Sequence, residues 1–306
     1  MLSRRRFLLK AGLATPFLSG GYAFGVEPQR LVTTRYRISP GNWPAAPVLR
    51  IAVLADIHAI NPWMSSAHIE RIARATNALD PDIVLLAGDY EASMPLYGVG
   101  SYVSMEDCAE ALSLLRAPLG VHAVLGNHDL GRRGRGGDNV RRAFAAFGIP
   151  VMENKAVRLE KKGSGFWLLG LGDQWGGIHR RRLDDLPGTL AQMSDGSPAI
   201  LLAHEPDIFA ELPQLDHERR IALTVCGHTH GGQVSFPFYG PRGVPSRFGR
   251  RFAYGHIVED DRHLVVSGGL GMTGLPVRFG VPPEIVMVTL GGVDLTSSKW
   301  LRVPER

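Results

Sequence analysis

Between residues 48 and 290, short runs of aliphatic and β-branched residues alternate with amphipathic or glycine-rich stretches. Residues 48–55 and 83–87 are unbroken apolar runs of strand length, the pattern of strands covered on both faces. Between them, residues 65–79 set Ile69, Ile72, Ala73 and Thr76 on one helical face, with Ser65 or Ser66 placed to cap the first turn. The same reading predicts helices over 105–115 and 139–147. It predicts strands over 121–125, 156–160, 166–171, 199–203, 221–226, 263–267 and 284–289, with residues 31–38 as an added edge strand. Alternation early and hairpin-like pairs late predict a layered α/β fold with a mixed sheet or two sheets. No repeat, low-complexity tract or Pro/Ser-rich linker divides the body. The expected organisation is therefore a leader over 1–25, an extension with the edge strand over 26–47, and one domain over 48–306. The Gly131–Gly137 segment is a loop inside it.

Composition narrows this only slightly: 306 residues, 44% hydrophobic and 21% charged, exclude a disordered, collagen-like or coiled-coil chain. Charge is more informative once located. Residues 1–25 hold Arg4, Arg5, Arg6 and Lys10 and no acidic residue, so removing those four positive charges from the net +5 leaves +1. A nucleic-acid partner is disfavoured by that near-neutral body. The segment Ser3-Arg4-Arg5-Arg6-Phe7-Leu8, followed by an uncharged run from Ala11 to Val26, resembles a bacterial twin-arginine export signal, with small residues Ala23 and Gly25 near its end. Leu9 stands where a Lys is common, and Lys10 comes one place later. The resemblance implies passage through the twin-arginine translocase to the periplasm or the outer face of the cytoplasmic membrane. The uncharged run is short for a span, and its retention would leave the protein at the membrane surface. Only two cysteines, Cys108 and Cys226, are present, which argues against a disulfide framework, and Cys226 reads as a buried small hydrophobe.

The chemistry lies where the strands end. Asp56 and His58 follow the run 48–55, and Gly88-Asp89 follows 83–87. Gly126-Asn127-His128-Asp129 follows 121–125, His204 follows 199–203, and Gly227-His228-Thr229-His230 follows 221–226. Any one such residue is ordinarily a turn or cap. Five strands delivering Asp, His or Asn at the same relative point gather them on one rim, where α/β folds place their sites. Asp56-x-His58 and His228-x-His230 would direct alternate side chains to one side of an extended strand end. Carboxylates, imidazoles and an amide without thiolate favour a borderline or hard divalent metal such as Mn, Fe or Zn. Two Asp, one Asn and four His exceed what one ion needs and fit two.

These five ordered blocks, D-x-H, GD, GNHD, H and GHTH, closely resemble the calcineurin-like metallophosphoesterase family. The Gly231-Gly232-Gln233 continuation and the segment Gly274 to Glu284 resemble its exported or membrane-associated phosphodiesterase branch. The resemblance implies a four-layer αββα sandwich of α/β class with metals at strand C-termini. It implies that Asp56, His58 and His230 hold one metal, Asn127, His204 and His228 a second, and that Asp89 bridges them. It departs from many members in carrying Tyr90-Glu91-Ala92 after the GD block where another Asp is common, which bears on hydrogen bonding around the ligands. The expected reaction is metal-assisted hydrolysis, in which two cations about 3.5–4 Å apart acidify a shared water that attacks phosphorus in line. His128 would stabilise or protonate the leaving oxygen, with Asp129 orienting its imidazole.

On the substrate side, Arg132, Arg133 and Arg135 in the glycine-rich loop are candidate phosphate clamps, against the plainer reading of a solvated loop. The stretch 236–252, with Phe238, Tyr239, Arg242, Arg247, Arg250 and Arg251, suits an apolar, basic mouth for a lipid-linked phosphate or pyrophosphate, or simple packing on the domain. UDP-2,3-diacylglucosamine hydrolysis in lipid A metabolism, known in this superfamily, is a named alternative against which export argues. Nucleotide or nucleic-acid phosphodiester cleavage is another. A binding module on the same fold would be expected to have lost ligands, and all seven are intact.

Overall fold

Two sheets lie face to face in the computed structural model, which describes residues 20–44, 47–92, 100–131, 135–175, 181–236, 238–241 and 243–292. The first sheet has the order β1 (Val32–Ile38), β15 (Glu284–Leu290), β2 (Leu49–Leu54), β4 (Ile83–Leu86) and β6 (Val121–Ala123). The second runs β13 (Gly255–Glu259), β14 (Arg262–Val266), β10 (Ile221–Cys226), β9 (Ala199–Leu202), β8 (Ser164–Gly170) and β7 (Lys155–Lys161). Strands β2, β4 and β6 are mutually parallel, as are β8, β9, β10 and β14, so their C-terminal ends share one rim. Two short pairs complete the strands: β3 (Ile60–Asn61) with β5 (Ser101–Tyr102), and β11 (Ser235–Phe236) with β12 (Gly240–Pro241).

The layering follows from side-chain alternation with a period of two. In β2, Leu49, Ile51 and Val53 enter the core between the sheets, while Ala52 and Leu54 enter the core under the helices. Ile83 and Leu85 against Val84 and Leu86 repeat this in β4. In the second sheet, Phe166, Leu168, Ile200, Leu202, Leu223 and Val225 face the seam, and Trp167, Leu169, Leu201 and Cys226 face outward. Helices α1 (Ser66–Ala78), α2 (Met105–Leu112) and α3 (Asp138–Ala146) cover the first sheet with Ile69, Ile72, Cys108 and Phe144. Shorter helical turns at Leu186–Leu190 and Pro206–Leu215 cover the second with Leu186, Phe209 and Leu212. The result is the expected four-layer αββα sandwich.

Most predicted elements stand within two or three residues of their expected ends. Ser65 is the cap of α1, its hydroxyl accepting from the His68 amide, and β1 is the edge strand, parallel to β15. Cys108 and Cys226 are buried free thiols. Strand β13 and the two short pairs were not foreseen, because each is too brief or too mixed in polarity to show a period. Residues 1–19, which carry the basic leader, lie outside the described residues.

Candidate metal centre

The rim is built from abrupt turns. Asp56, His58, Asp89, His228 and His230 all have φ between 45° and 71°. Non-glycine residues rarely adopt this left-handed region, at a cost of roughly 1–2 kcal/mol each. The expected alternation of an extended strand end is therefore corrected: each chain turns sharply as it leaves its sheet, and the turns aim the side chains inward. Close approach explains the preceding glycines. A Cβ on Gly126 would collide with the Asp89 carboxylate, and one on Gly227 would stand 2.7 Å from Asp56 Oδ2.

The turns assemble two clusters across the seam, and a third group, His58, Asp89 and His128, overlaps both. Asp56, His58 and His230 bring one ligand-type atom each within 4.8 Å of one another, as do Asp89, His204 and His228. Between them, Asp89 Oδ1 accepts the His128 amide at 2.9 Å, which leaves Oδ2 at 3.6 Å from His58 Nε2 and 3.2 Å from His204 Nε2. Asn127 Oδ1 lies 3.3 Å from His204 Nε2, and His228 Nδ1 lies 3.2 Å from the same nitrogen. The main chain of His228 donates to the Asp56 carboxylate at 2.9 Å, tying the two sheets.

The donor chemistry fits cations. His58 Nδ1 faces the Glu91 carbonyl at 3.0 Å and His204 Nδ1 the Ala87 carbonyl at 2.7 Å. A carbonyl only accepts, so each Nδ1 is the donor, and a neutral ring presents its Nε2 lone pair to the centre. Without a cation, burial of His204 is outweighed by Asp89, which raises the imidazole well above its ordinary range, so that a proton on its Nε2 takes the place of the metal. There His58 Nε2 meets His230 Nε2 at 3.1 Å, and His204 Nε2 meets two oxygen acceptors. Converging lone pairs in a buried site demand positive charge between them. Burial lowers the His58 imidazole to about 3, and burial together with His204 does the same for His228, keeping both neutral and able to bind a cation. Burial pushes Asp89 up, but His204, His128 and His58 outweigh it and hold the carboxyl well below its ordinary range. Burial raises Asp56 to about 7, helped by Asp89 and opposed by His204.

His128 is less buried than the other imidazoles of the rim. Its side chain is 28% exposed, its Nε2 is 3.9 Å from Asp89 Oδ2, and its ring meets His58 edge-on at 5.0 Å. Asp129 does not orient it. Both Asp129 oxygens point the other way: Oδ2 accepts the amides of Asp89 and Gly126, and Oδ1 those of Tyr90 and Glu91, all at 2.8–2.9 Å. The expected catalytic part for Asp129 is therefore replaced by a bracing one, since no lone pair is left directed at the imidazole. The Tyr90-Glu91 departure is also resolved, because the bond to His58 comes from the Glu91 main chain, and Tyr90 turns into the core to donate to Leu86 and Val124 carbonyls.

Of the candidate clamps, Arg132 and Arg133 lie outside the described residues. Arg135 is exposed on the turn before α3. In the stretch 236–252, Arg242 lies outside the described residues, Arg247 is paired with Asp207 and Glu211, and Arg251 with Glu259, which leaves exposed Arg250 as the cation of the expected basic mouth with no acidic partner among the described residues. Three residues escaped sequence reading. Arg278, fully buried, donates to the Gly268, Gly271 and Val281 carbonyls and places its charge beside Asp56 and His230. Trp175 stands edge-on to His228 at 4.7 Å and is partly exposed. Glu205 is buried beside Asp173, and burial and that carboxylate raise it well above its ordinary range. An Arg inside an apolar, glycine-rich run was the one legible signal among them.

Residues 49–232, well over half the chain, match the family model described as calcineurin-like phosphoesterase. The chain belongs to that family. This calcineurin-like phosphoesterase is 33% identical to the uncharacterized metallophosphoesterase YkuE of Bacillus subtilis, over 94% of this chain and 98% of that one. It is 30% identical to the phosphodiesterase YaeI of Escherichia coli, over 95% and 100%. Among solved structures, NAD nucleotidase (NadN) of Haemophilus influenzae aligns with a TM-score of 0.47 and 16% identity, over 73% of this chain and 46% of that one. As a member of the family, the protein is a metal-dependent phosphoric ester hydrolase.

Proposed function

We propose that this phosphoesterase is a binuclear phosphodiesterase that acts on a lipid-linked or other cell-envelope phosphoester after export through the twin-arginine translocase. The observation that carries the binuclear reading is Asp89, whose Oδ2 faces His58 on one side and His204 on the other. Asp56, His58 and His230 would hold one divalent cation, Asn127, His204 and His228 the other, with Asp89 shared. Mn, Fe or Zn all suit these ligands. Such a pair supplies an acidified water and polarises phosphoryl oxygens. The chain's own part is positional. Asp129 fixes the loop that carries Asp89, the left-handed turns aim the ligands, and His128, at the open side, gives a proton to the leaving oxygen.

The diester preference is supported by YaeI, which is named a phosphodiesterase and aligns along its whole length. The export reading is supported by the Ser3–Leu8 motif. The test is metal content of the purified protein together with hydrolysis of bis-p-nitrophenyl phosphate and p-nitrophenyl phosphate, with Asp89→Asn as control. Two metals per chain and Asp89-dependent cleavage of the diester are expected. Fewer than two metals and no cleavage of either ester, with Mn, Zn or Fe supplied, overturns the reading in favour of a binding module. Replacing Arg4 and Arg5 by Lys should block export of the full chain, and unchanged export would remove the translocase from the account.

A further inference from the structure

Three segments meet at one edge of the metal rim. They are residues 22–26, the β11–β12 hairpin and the loop 272–280. The Tyr22 ring packs edge-on against Phe279 at 6.4 Å, Phe279 packs against Phe236 at 5.4 Å, and the Arg278 amide donates to the Ala23 carbonyl at 2.9 Å. Ser235 donates to the Phe279 carbonyl, and Gln233 donates its side-chain amide to the Thr273 and Leu275 carbonyls. This platform is continuous with the site: the hairpin begins a few residues after His230, and the Gly271 amide donates to the Asp56 carbonyl at 2.7 Å.

From it project Phe24, Val26, Phe236, Phe238, Tyr239 and Leu275, half of the large apolar side chains that are exposed among the described residues. Phe238, at the hairpin tip, is as exposed as in an extended chain. Single exposed apolar residues are unremarkable, but their concentration on one face is not. Cations border the face. Arg30 donates to the Tyr22 hydroxyl, and Arg250, exposed beside Gly240, has no acidic partner among the described residues.

What covers this face is indicated by the chain that leads into it. Residues 1–19 carry Arg4, Arg5, Arg6 and Lys10 ahead of and within Phe7-Leu8-Leu9 and the uncharged run that continues to Val26. That run enters the structure on the platform itself, where Glu27 and Pro28 are buried. A cut after Ala23 or Gly25 would fall within this packed entry. We infer that the face formed by residues 22–26, the β11–β12 hairpin and the loop 272–280 rests on a lipid bilayer, with the apolar leader retained and the metal rim opening at the membrane surface. Aromatic tips flanked by arginine suit the boundary between headgroups and acyl chains, and the arginines favour anionic lipid. The inference rests on the envelope reading above for its setting and names the surface that would present a lipid-linked ester to the site.

The test uses the full-length, metal-loaded chain and vesicles of phosphatidylcholine, with and without phosphatidylglycerol. Because Cys108 and Cys226 are buried, single cysteines at Phe238→Cys or Leu275→Cys take an environment-sensitive fluorophore selectively. Glu218→Cys, exposed before β10 begins at the far end of the strands, is the control. Labels at 238 and 275 should brighten and shift blue on vesicles, more so with phosphatidylglycerol, while 218 stays constant. The triple variant F238S/Y239S/L275S should partition roughly tenfold or more weakly, as expected for apolar side chains that no longer enter the bilayer. Vesicle binding with silent labels at 238 and 275 would mean attachment by the leader alone and overturns the inference. So does absence of binding, or brightening that follows protein concentration without vesicles, which would assign the face to a second copy of the chain. Asp89→Asn should bind vesicles like the parent, so failure of this inference and failure of the catalytic reading are separately visible.

Discussion

Asp129→Asn separates a bracing role from a catalytic one. The carboxylate accepts four main-chain amides, two on each oxygen, from Asp89, Tyr90, Glu91 and Gly126. An amide of the same shape keeps one oxygen and turns an NH₂ group toward two N–H donors. Two hydrogen bonds are lost and two buried N–H groups are left without an acceptor, at roughly 1–3 kcal/mol each, or about 2–6 kcal/mol together. That is a large fraction of the roughly 5–15 kcal/mol that holds an ordinary domain folded. The loop carrying Asp89 would loosen with it, so metal content should fall together with stability. The assay is urea unfolding at fixed metal concentration, with metal per chain measured on the same preparation. If Asp129 instead steered His128, turnover would collapse while stability and metal content held. A loss below about 1 kcal/mol with both metals retained would refute the bracing argument.

Three further outcomes follow from named contacts. His128→Ala should keep its metals and lose diester turnover by about 10²–10⁴-fold, the range for a positioned proton donor; near-normal turnover would reduce His128 to a brace for its neighbours. Arg278→Met strips the donors from three buried carbonyls, at roughly 1 kcal/mol or more apiece, so its thermal midpoint should fall clearly, and Arg278→Lys should recover only part because one ammonium cannot match the planar fork. Asp195 is held well below the ordinary carboxylate range by hydrogen bonds from Trp167 Nε1, Arg158 and the Ser197 amide. Its contribution is therefore present above about pH 4, the unfolded value, and is lost as pH falls through the depressed folded value. The melting difference between Asp195→Asn and the parent should be constant near neutrality and narrow in acid, and a difference that widens in acid would contradict the sign.

Much of this architecture was legible because strands buried on both faces leave continuous apolar runs, and because ligand-type residues interrupt those runs at the same point five times. Leu49 to Leu54 and Ile83 to Leu86 could hardly be read otherwise. Misreadings cluster where local geometry defies periodicity. Nothing in Asp56-Ile57-His58 announces two left-handed residues, so the side chains were expected to meet by strand alternation rather than by turning. Asp129 adjoins His128 in sequence, and only the loop's curvature sends its oxygens back to the amides of residues 89–91. Arg247 and Arg251 look like free cations until the fold brings Asp207, Glu211 and Glu259 from other elements. Long-range pairing of this kind leaves no trace in spacing. Trp175 lies 53 residues from His228, and Asp173 lies 32 residues from Glu205, so both pairings were hidden for the same reason.

The two clusters also bear on stability, because neither belongs to one sheet. Asp56, Asp89 and Asn127 leave β2, β4 and β6 of the first sheet, while His204, His228 and His230 leave β9 and β10 of the second. Every cation held there would join the two sheets across the seam at the rim, where apolar packing gives way to converging lone pairs and like dipoles. Without cations the rim keeps the His228 amide on Asp56 and the His204 contacts with Asp89 and Asn127 as polar ties between those ligands. Binding to the folded form alone stabilises it by RT ln(1 + [M]/Kd), about 2.7 kcal/mol per site at free metal roughly a hundred times Kd. Chelation should therefore lower the melting temperature by an amount that grows with the metal concentration from which it starts. Asp89→Asn, lacking the carboxylate that faces both clusters, should lose most of that shift while folding normally in chelator. A melting temperature indifferent to metal in the parent protein would show that the rim does not bind cations in its folded form, and the converging nitrogens would then need protons alone to hold them.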